Sequence, residues 1–343
     1  MKHKRYYYGI DILRIICAIG ITLLHLRPFE DILPAVDFFL TCCITRIAVP
    51  TFFCISCFLF FEDKDIEKLE WSALVGYLRR VWGSYIAYTF IYMPLIIVNF
   101  GTEKYQGYTL WMKVAIFVRR FLFIGSWTPL WFFLSLGTVM TIIFVLLKLK
   151  CSVKTIAIGS ALLYMTVGVG NSAWTNCYEV VWKKMPILQE IGRLAVGIMG
   201  PGALNFVFGL MFCSLGLVMA QKILWVGRKV SFWCEIVAIL CLVTAVHLAK
   251  SMLAVDYTMT TSMIAVVFFL VNYTTEVVLE GRMIYGWFRK MSVLIYGLHP
   301  LFAEVIGFKV SCVRYGCVMF FVLLVAVAII KMQNKFRWLK VLY

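Results

Sequence analysis

Acidic residues are scarce in this chain, with only 17 Asp and Glu among 343 residues, and charged residues of both signs make up only 15%. Soluble domains carry about 25% charged residues. Proline is also sparse, at eight, and no run of Pro, Gly or Ser forms a linker. The sequence contains no G-x-x-x-x-G-K-[ST] phosphate loop, no G-x-G-x-x-G, no H-E-x-x-H and no G-x-S-x-G. The ordinary nucleotide-fold, zinc-peptidase and serine-hydrolase signatures are therefore missing. What is present is apolar: 63% of residues are hydrophobic, and the mean hydropathy is +0.91. Such a chain cannot hide its surface from water as a soluble globular enzyme, nor stay disordered or fibrous. Its net charge of +16 does not make it a nucleic-acid binder, because a basic stripe needs a water-soluble scaffold to display it. The twelve cysteines lie mostly inside apolar runs and read as small hydrophobes; the lone Cys54/Cys57 pair has C-x-x-C spacing but no further Cys or His ligands nearby. No metal is expected.

About 20 apolar residues span a hydrocarbon core of about 30 Å. Ten windows qualify: 9–27, 37–61, 81–100, 130–148, 154–171, 203–221, 230–249, 258–274, 291–309 and 316–330. The fold class expected is all-α, a polytopic membrane bundle of about ten transmembrane helices. Residues 110–124 mix aromatics with Lys113, Arg119 and Arg120, which suits an interfacial amphipathic helix. Residues 187–202, broken by Gly192, Gly197, Gly200 and Pro201, read as a half-helix or re-entrant piece. The first window carries Asp11 and Arg14 and lacks a small-residue cleavage site, so it is a span rather than a cleaved signal.

Loop charge orients the bundle. Alternate loops hold Lys64, Lys68, Arg79 and Arg80, then Lys148, Lys150 and Lys154, and so on to Lys331, Lys335, Arg337 and Lys340. The positive-inside rule places these loops and both termini in the cytoplasm. The basic stretch at 113–120 falls outside and breaks the pattern. The expected organisation is one membrane domain over 1–343 with no appended soluble domain, in the cell membrane. Exposed aromatics are compatible with a homodimer.

An ionisable side chain within a span costs at least a few kcal/mol, which makes each one a functional candidate. The first window holds three: Asp11, Arg14 and His25. Arg14 and His25 are eleven positions apart, within about 20° of one helix face and about 16 Å apart along the axis. Asp11 is placed to pair with Arg14 one turn on. Arg46 precedes Pro50 in the second window. His299 lies beside Pro300 in Tyr296-Gly297-Leu298-His299-Pro300, and histidine suits proton transfer near neutral pH. His247 and His3 are read as structural.

Taken in order, several segments resemble acyltransferase family 3, the integral-membrane acyltransferases of cell-envelope sugars. Asp11-Ile12-Leu13-Arg14 running to His25 is similar to the family's arginine, ten residues, histidine signature. Val49 to Ser56, Tyr77-Leu78-Arg79-Arg80, Gly125 to Phe132, and Ser292 to Pro300 resemble four further segments, and together they cover nearly the whole chain. Cys57 stands where the family usually has glycine, and Pro129 where many members have histidine. The resemblance implies transfer of an acetyl or other short acyl group from acetyl-CoA (or another acyl-CoA) to a hydroxyl of an envelope glycan or lipid-linked sugar. The partners it implies are the acyl-CoA donor, that acceptor and the lipid bilayer. In this reading His25 is the base or briefly carries the acyl group, Arg14 and Arg46 hold the donor, and His299 supports His25 or shuttles protons. A transporter or flippase of a small amino acid or lipid-linked sugar remains the alternative. Against it stand the absence of an inverted repeat and the scarcity of intramembrane carboxylates.

Overall fold

The computed structural model describes residues 6–168, 202–251 and 260–343, together with isolated helical positions at 186, 190, 194, 197 and 199. Side chains at 167–168, 202–204 and 248–251 are excepted. The expected re-entrant piece at 187–202, the ends of the windows at 154–171 and 258–274, and His3 lie outside the described residues. Among the described residues there are helices and no strands. This is what a bilayer requires of a chain that must satisfy its own backbone polar groups.

The helices are α1 (Tyr8–Leu26), α2 (Pro34–Phe38), α3 (Ala48–Phe61), α4 (Trp71–Phe100), α5 (Leu110–Arg119), α6 (Trp131–Lys148), α7 (Val153–Leu163), α8 (Gly202–Ala220), α9 (Arg228–Ser251), α10 (Ser262–Thr275), α11 (Met283–Val305) and α12 (Ser311–Met332). Six stretches among the described residues are long and apolar enough to cross a membrane: Tyr8–Leu26, Pro34–Phe61, Trp71–Phe100, Leu110–Lys148, Arg228–His247 and Ser311–Met332. Three shorter apolar helices, Val153–Thr166, Asn205–Ala220 and Ser262–Thr275, fall below that length. The protein is thus a multi-pass helical membrane protein, and six rather than about ten of its helices meet the length and hydropathy test alone.

Pro34–Phe61 is one rod with an irregular middle. Its α-helical start passes into a π-helical turn at Phe39–Ile44 and a 3₁₀ turn at Thr45–Ile47 before regular helix resumes. Such local adjustments satisfy the carbonyls that Pro50 deprives of a donor. The basic stretch expected at the interface forms α5 and a π-helical turn to Ile124, and stops at Gly125. There φ is +107°, and a Cβ would lie 2.7 Å from the Trp131 backbone nitrogen. Only glycine fits that approach.

Glycine also sets the contact between α3 and α8. A Cβ on Gly216 would sit 2.2 Å from the Cys54 carbonyl oxygen. Close packing at Cys57, where the resemblance leads one to expect glycine, is therefore achieved from the facing helix, and Cys57 itself is fully buried.

The directions of the central helices follow from their contacts. Asp11 of α1 meets Arg289 of α11 at one end, and His25 meets His299 at the other, so these two helices run parallel. Lys290 meets Gln333, while Arg314 bonds the Ile306 carbonyl, so α12 returns antiparallel to α11. The chain then tucks its last turn under α4: Ser84 donates to the Val341 carbonyl at 2.8 Å and Tyr88 to the Leu342 carbonyl at 3.2 Å. Both ends of the described chain therefore lie at one end of the bundle.

Candidate functional site

Four sequence-selected side chains define an axis along α1. At the end away from the termini, the His25 and His299 rings stack with centroids 5.3 Å apart and planes inclined by 28°. They come from α1 and α11, 274 positions apart in sequence but neighbours in space. His25 is exposed and His299 fully buried. His299 Nδ1 lies 3.0 Å from the Ile295 carbonyl oxygen. A carbonyl oxygen can only accept, so Nδ1 donates and the neutral ring presents its lone pair at Nε2. That Nε2 atom is buried without a hydrogen-bond partner, a state that costs about 1–3 kcal/mol. Nε2 is thus the ring's remaining acceptor.

Aromatic segments wall this pair. Tyr296, one turn before His299, packs edge-on against Phe132 and Phe133 at 5.4 and 5.5 Å. Its hydroxyl donates to the Pro129 carbonyl. Pro129 therefore takes part through its backbone carbonyl. Upstream, Ser126 is fixed by Thr89 at 2.7 Å and by the Tyr85 hydroxyl, which accepts from the Ser126 amide at 3.0 Å. Trp127 stacks on Tyr92 at 6.1 Å. Tyr92 in turn donates to the Gly297 carbonyl at 2.9 Å. The segments Gly125–Phe132 and Ser292–Pro300, far apart in sequence, thus form one wall of the histidine pair.

Arg46 lies in the 3₁₀ turn that packs on α1, and its charge acts on the His25 ring. The structure places it with the histidines rather than with Arg14. Arg14 is near the other end of the axis, two-thirds of the way back along α1. It is mostly buried, 3.9 Å from Asp11, and within electrostatic reach of Tyr77. The expected Asp11–Arg14 pair is present but is the weaker of two. Asp11 is held chiefly by Arg289, whose Nε and Nη2 donate to its two oxygens at 3.1 and 3.0 Å. This bidentate fork was missed in the sequence because Arg289 sits at a span edge and looks like topology charge. Its signal is its position three residues before Ser292, on the helix that also carries His299. Both Asp11 oxygens are thus engaged by Arg289, and Arg14 makes no hydrogen bond to them at 3.9 Å.

The loop above the histidine end is pinned twice. Arg27 Nε and Nη2 both reach Asp37 Oδ2 at 2.9 Å. Asp31 accepts from the Ser311 amide at 3.1 Å and hydroxyl at 2.6 Å, capping α12. These bonds hold the Asp31 carboxyl below the usual carboxylate range, so the cap is made at neutral pH and is lost as pH falls through that lowered value. His247, read as structural, is exposed and rests edge-on against Phe38.

Comparison with known proteins bears on this arrangement. The acyltransferase 3 family, described as an acyltransferase domain, matches residues 7–332. The chain is 28% identical over 198 residues to an amino-acid racemase of Enterococcus faecalis, covering 56% of this chain and 26% of that protein. It is 27% identical over 225 residues to a serine/alanine racemase of Enterococcus gallinarum, covering 65% of this chain and 30% of that protein. The chain spans less than a third of the length of these curated relatives. No solved structure matches it significantly.

Proposed function

The chain belongs to this acyltransferase family, and on that premise we propose that it moves an acetyl or other short acyl group from an acyl-CoA to a hydroxyl of an envelope glycan or lipid-linked sugar. The observation that carries the proposal is the His25–His299 stack at one end of an α1 stripe whose other end bears Arg14. A hydroxyl is a weak nucleophile until a base removes its proton. In the proposed step His25, the exposed member of the pair, takes that proton. The hydroxyl oxygen bonds to the thioester carbonyl carbon, the carbon–sulfur bond breaks, and the departing thiolate recovers the proton from His25. Atoms and charge balance, and no metal or further cofactor is needed.

The other residues have supporting parts. His299 orients the His25 ring and offers Nε2 to the same proton. Arg46, beside His25, stabilises the negative charge that builds on the carbonyl oxygen. Arg14, poised near a carboxylate already engaged by Arg289, binds a donor phosphate. In the proposed arrangement the whole chain acts as one membrane domain, with donor entry at the end that holds both termini.

The test is incubation of purified protein with radiolabelled acetyl-CoA and an envelope glycan extract. Label should enter the glycan, and His25→Ala should abolish that transfer while the protein stays folded and membrane-inserted. Full transfer by His25→Ala removes the base from the mechanism. Uptake of substrate into proteoliposomes without thioester consumption would replace the enzyme with a transporter.

A further inference from the structure

A second cavity opens at the end of the bundle that holds both termini, away from the histidine pair. It has a volume of about 190 Å³ and is bounded by Tyr7, Phe58, Glu62, Met219, Ala220, Lys222, Trp225 and Glu276. Three aromatic rings, two carboxylates and one ammonium are an uncommon lining for a small cavity in so apolar a chain. We propose that this cavity receives the adenine end of the acyl-CoA donor, an inference that rests on the acyl-CoA reading given above.

The lining is built rather than incidental. Tyr7 packs edge-on against Phe58 at 5.3 Å and donates to Glu62, which fixes one wall. The opposite wall is the loop after α8. Its Val226 carbonyl accepts from Asn272, and Asn272 also donates to Ser231 at 2.7 Å. The buried asparagine thereby anchors the residue next to Trp225. Glu276, one turn beyond Asn272, is the C-cap residue just past the end of α10. Lys222 takes φ +54°, a left-handed conformation in which glycine or asparagine is the usual residue. A lysine kept there at some conformational cost directs a positive charge to the cavity rim.

The chemistry matches one class of ligand. A flat heterocycle stacks on tryptophan and tyrosine faces. An exocyclic amine satisfies a carboxylate, which can only accept. A neighbouring phosphate suits the ammonium of Lys222, and the two carboxylates disfavour a phosphate deeper in. A cavity of this size holds a nucleobase and leaves the ribose phosphates at its rim.

Its position fits the rest of the donor. Tyr7 at the N-cap of α1 and Arg14 and His25 within it succeed one another on nearly one face, seven and then eleven positions apart. From Tyr7 to His25 the axis advances about 27 Å, with Arg14 about 10 Å along the way. About 20 bonds join adenine to the sulfur of coenzyme A, which at the extended-chain advance of about 1.2 Å per bond reach about 24 Å. The base would rest at Tyr7, the pyrophosphate near Arg14, and the thioester at His25.

The proposal is tested on the full chain in lipid nanodiscs with two readouts. Calorimetric titration with adenosine 3′,5′-bisphosphate should show binding that Trp225→Ala weakens at least tenfold. The same variant should raise KM for acetyl-CoA at least tenfold while leaving turnover of S-acetylpantetheine, which lacks the nucleotide, unchanged. Lys222→Gln provides a second variant that spares the packing, and it should weaken bisphosphate binding several-fold. Unaltered bisphosphate binding in both variants overturns the site. So does equal catalytic efficiency of wild-type protein with both donors. Transfer from neither donor, with bisphosphate binding still lost in Trp225→Ala, would overturn the acyltransferase reading and leave the nucleobase site standing.

Discussion

At the scale of single residues, the histidine pair makes the sharpest claim. His299 spends its Nδ1 proton on the Ile295 carbonyl and leaves Nε2 buried and unbonded. His299→Asn keeps a donor near the Nδ1 position and deletes Nε2 altogether. If Nε2 shares the proton of His25, this variant should fold normally yet lose about 10²-fold in kcat, the low end of general acid–base effects, with KM for the donor little changed. An unchanged kcat in a well-folded variant would confine His299 to packing. The sequence marks these residues well, because an ionisable group in an apolar run is conspicuous against its surroundings. It marks partnership poorly. Arg289 and Arg14 look alike in a list of basic residues, and only the fold shows that Asp11 gives its two oxygens to Arg289 and stands at 3.9 Å from Arg14. Arg46 likewise was grouped with Arg14 by residue type, and its turn beside α1 brings it to His25 instead.

At the scale of elements, α11 shows how packing serves the site. Gly297 faces Tyr88 of α4 so closely that an added Cβ would fall 2.0 Å from Cζ of the tyrosine ring. Tyr88 is itself fully buried and joined to the C-terminal Leu342, so the ring cannot swing into free space. Gly297→Ala should therefore overpack the α4–α11 contact, costing about 1–3 kcal/mol or more, and displace His299 two residues away. A lower unfolding temperature in detergent, with reduced transfer, is the expected outcome. Tyr88→Leu in the same chain should restore part of both. Gly159→Ala in α7, where a Cβ meets nothing within 4 Å, is the matched control and should be neutral or slightly stabilising. Hydropathy reveals where such helices lie, since apolar runs bounded by charge are local properties. It does not reveal which helix touches which. Irregular turns, such as the π-helical and 3₁₀ stretch over Phe39–Ile47, arise from neighbouring helices and leave no periodic trace.

At the scale of the whole molecule, helix direction constrains topology more firmly than hydropathy does. The parallel course of α1 and α11 requires an odd number of crossings between the end of one and the start of the other. The parallel course of α3 and α8 imposes the same parity, since Phe53 meets Gly209 and Phe61 meets Gln221. Ten crossings, with the shorter helices Val153–Thr166, Asn205–Ala220 and Ser262–Thr275 counted as spans, is one arrangement that meets both conditions. A short span is tolerable where neighbours cover it or where the bilayer thins locally, at fractions of a kcal/mol per Å of mismatch. The positive-inside rule predicts that the end holding both termini faces the cytoplasm, which is also where an acyl-CoA donor would enter. Single cysteines at Lys335, near the C-terminus, and at Lys309, between α11 and α12, would be read in intact cells with a membrane-impermeant maleimide, on a background cleared of reactive native cysteines. Position 309 should label from outside, and position 335 only after permeabilisation. The reverse pattern would invert the bundle and place the Tyr7–Trp225 cavity outside the cell, where the proposed donor could not reach it. Labelling of both positions from outside would place them on one side of the membrane and remove α12 as a span.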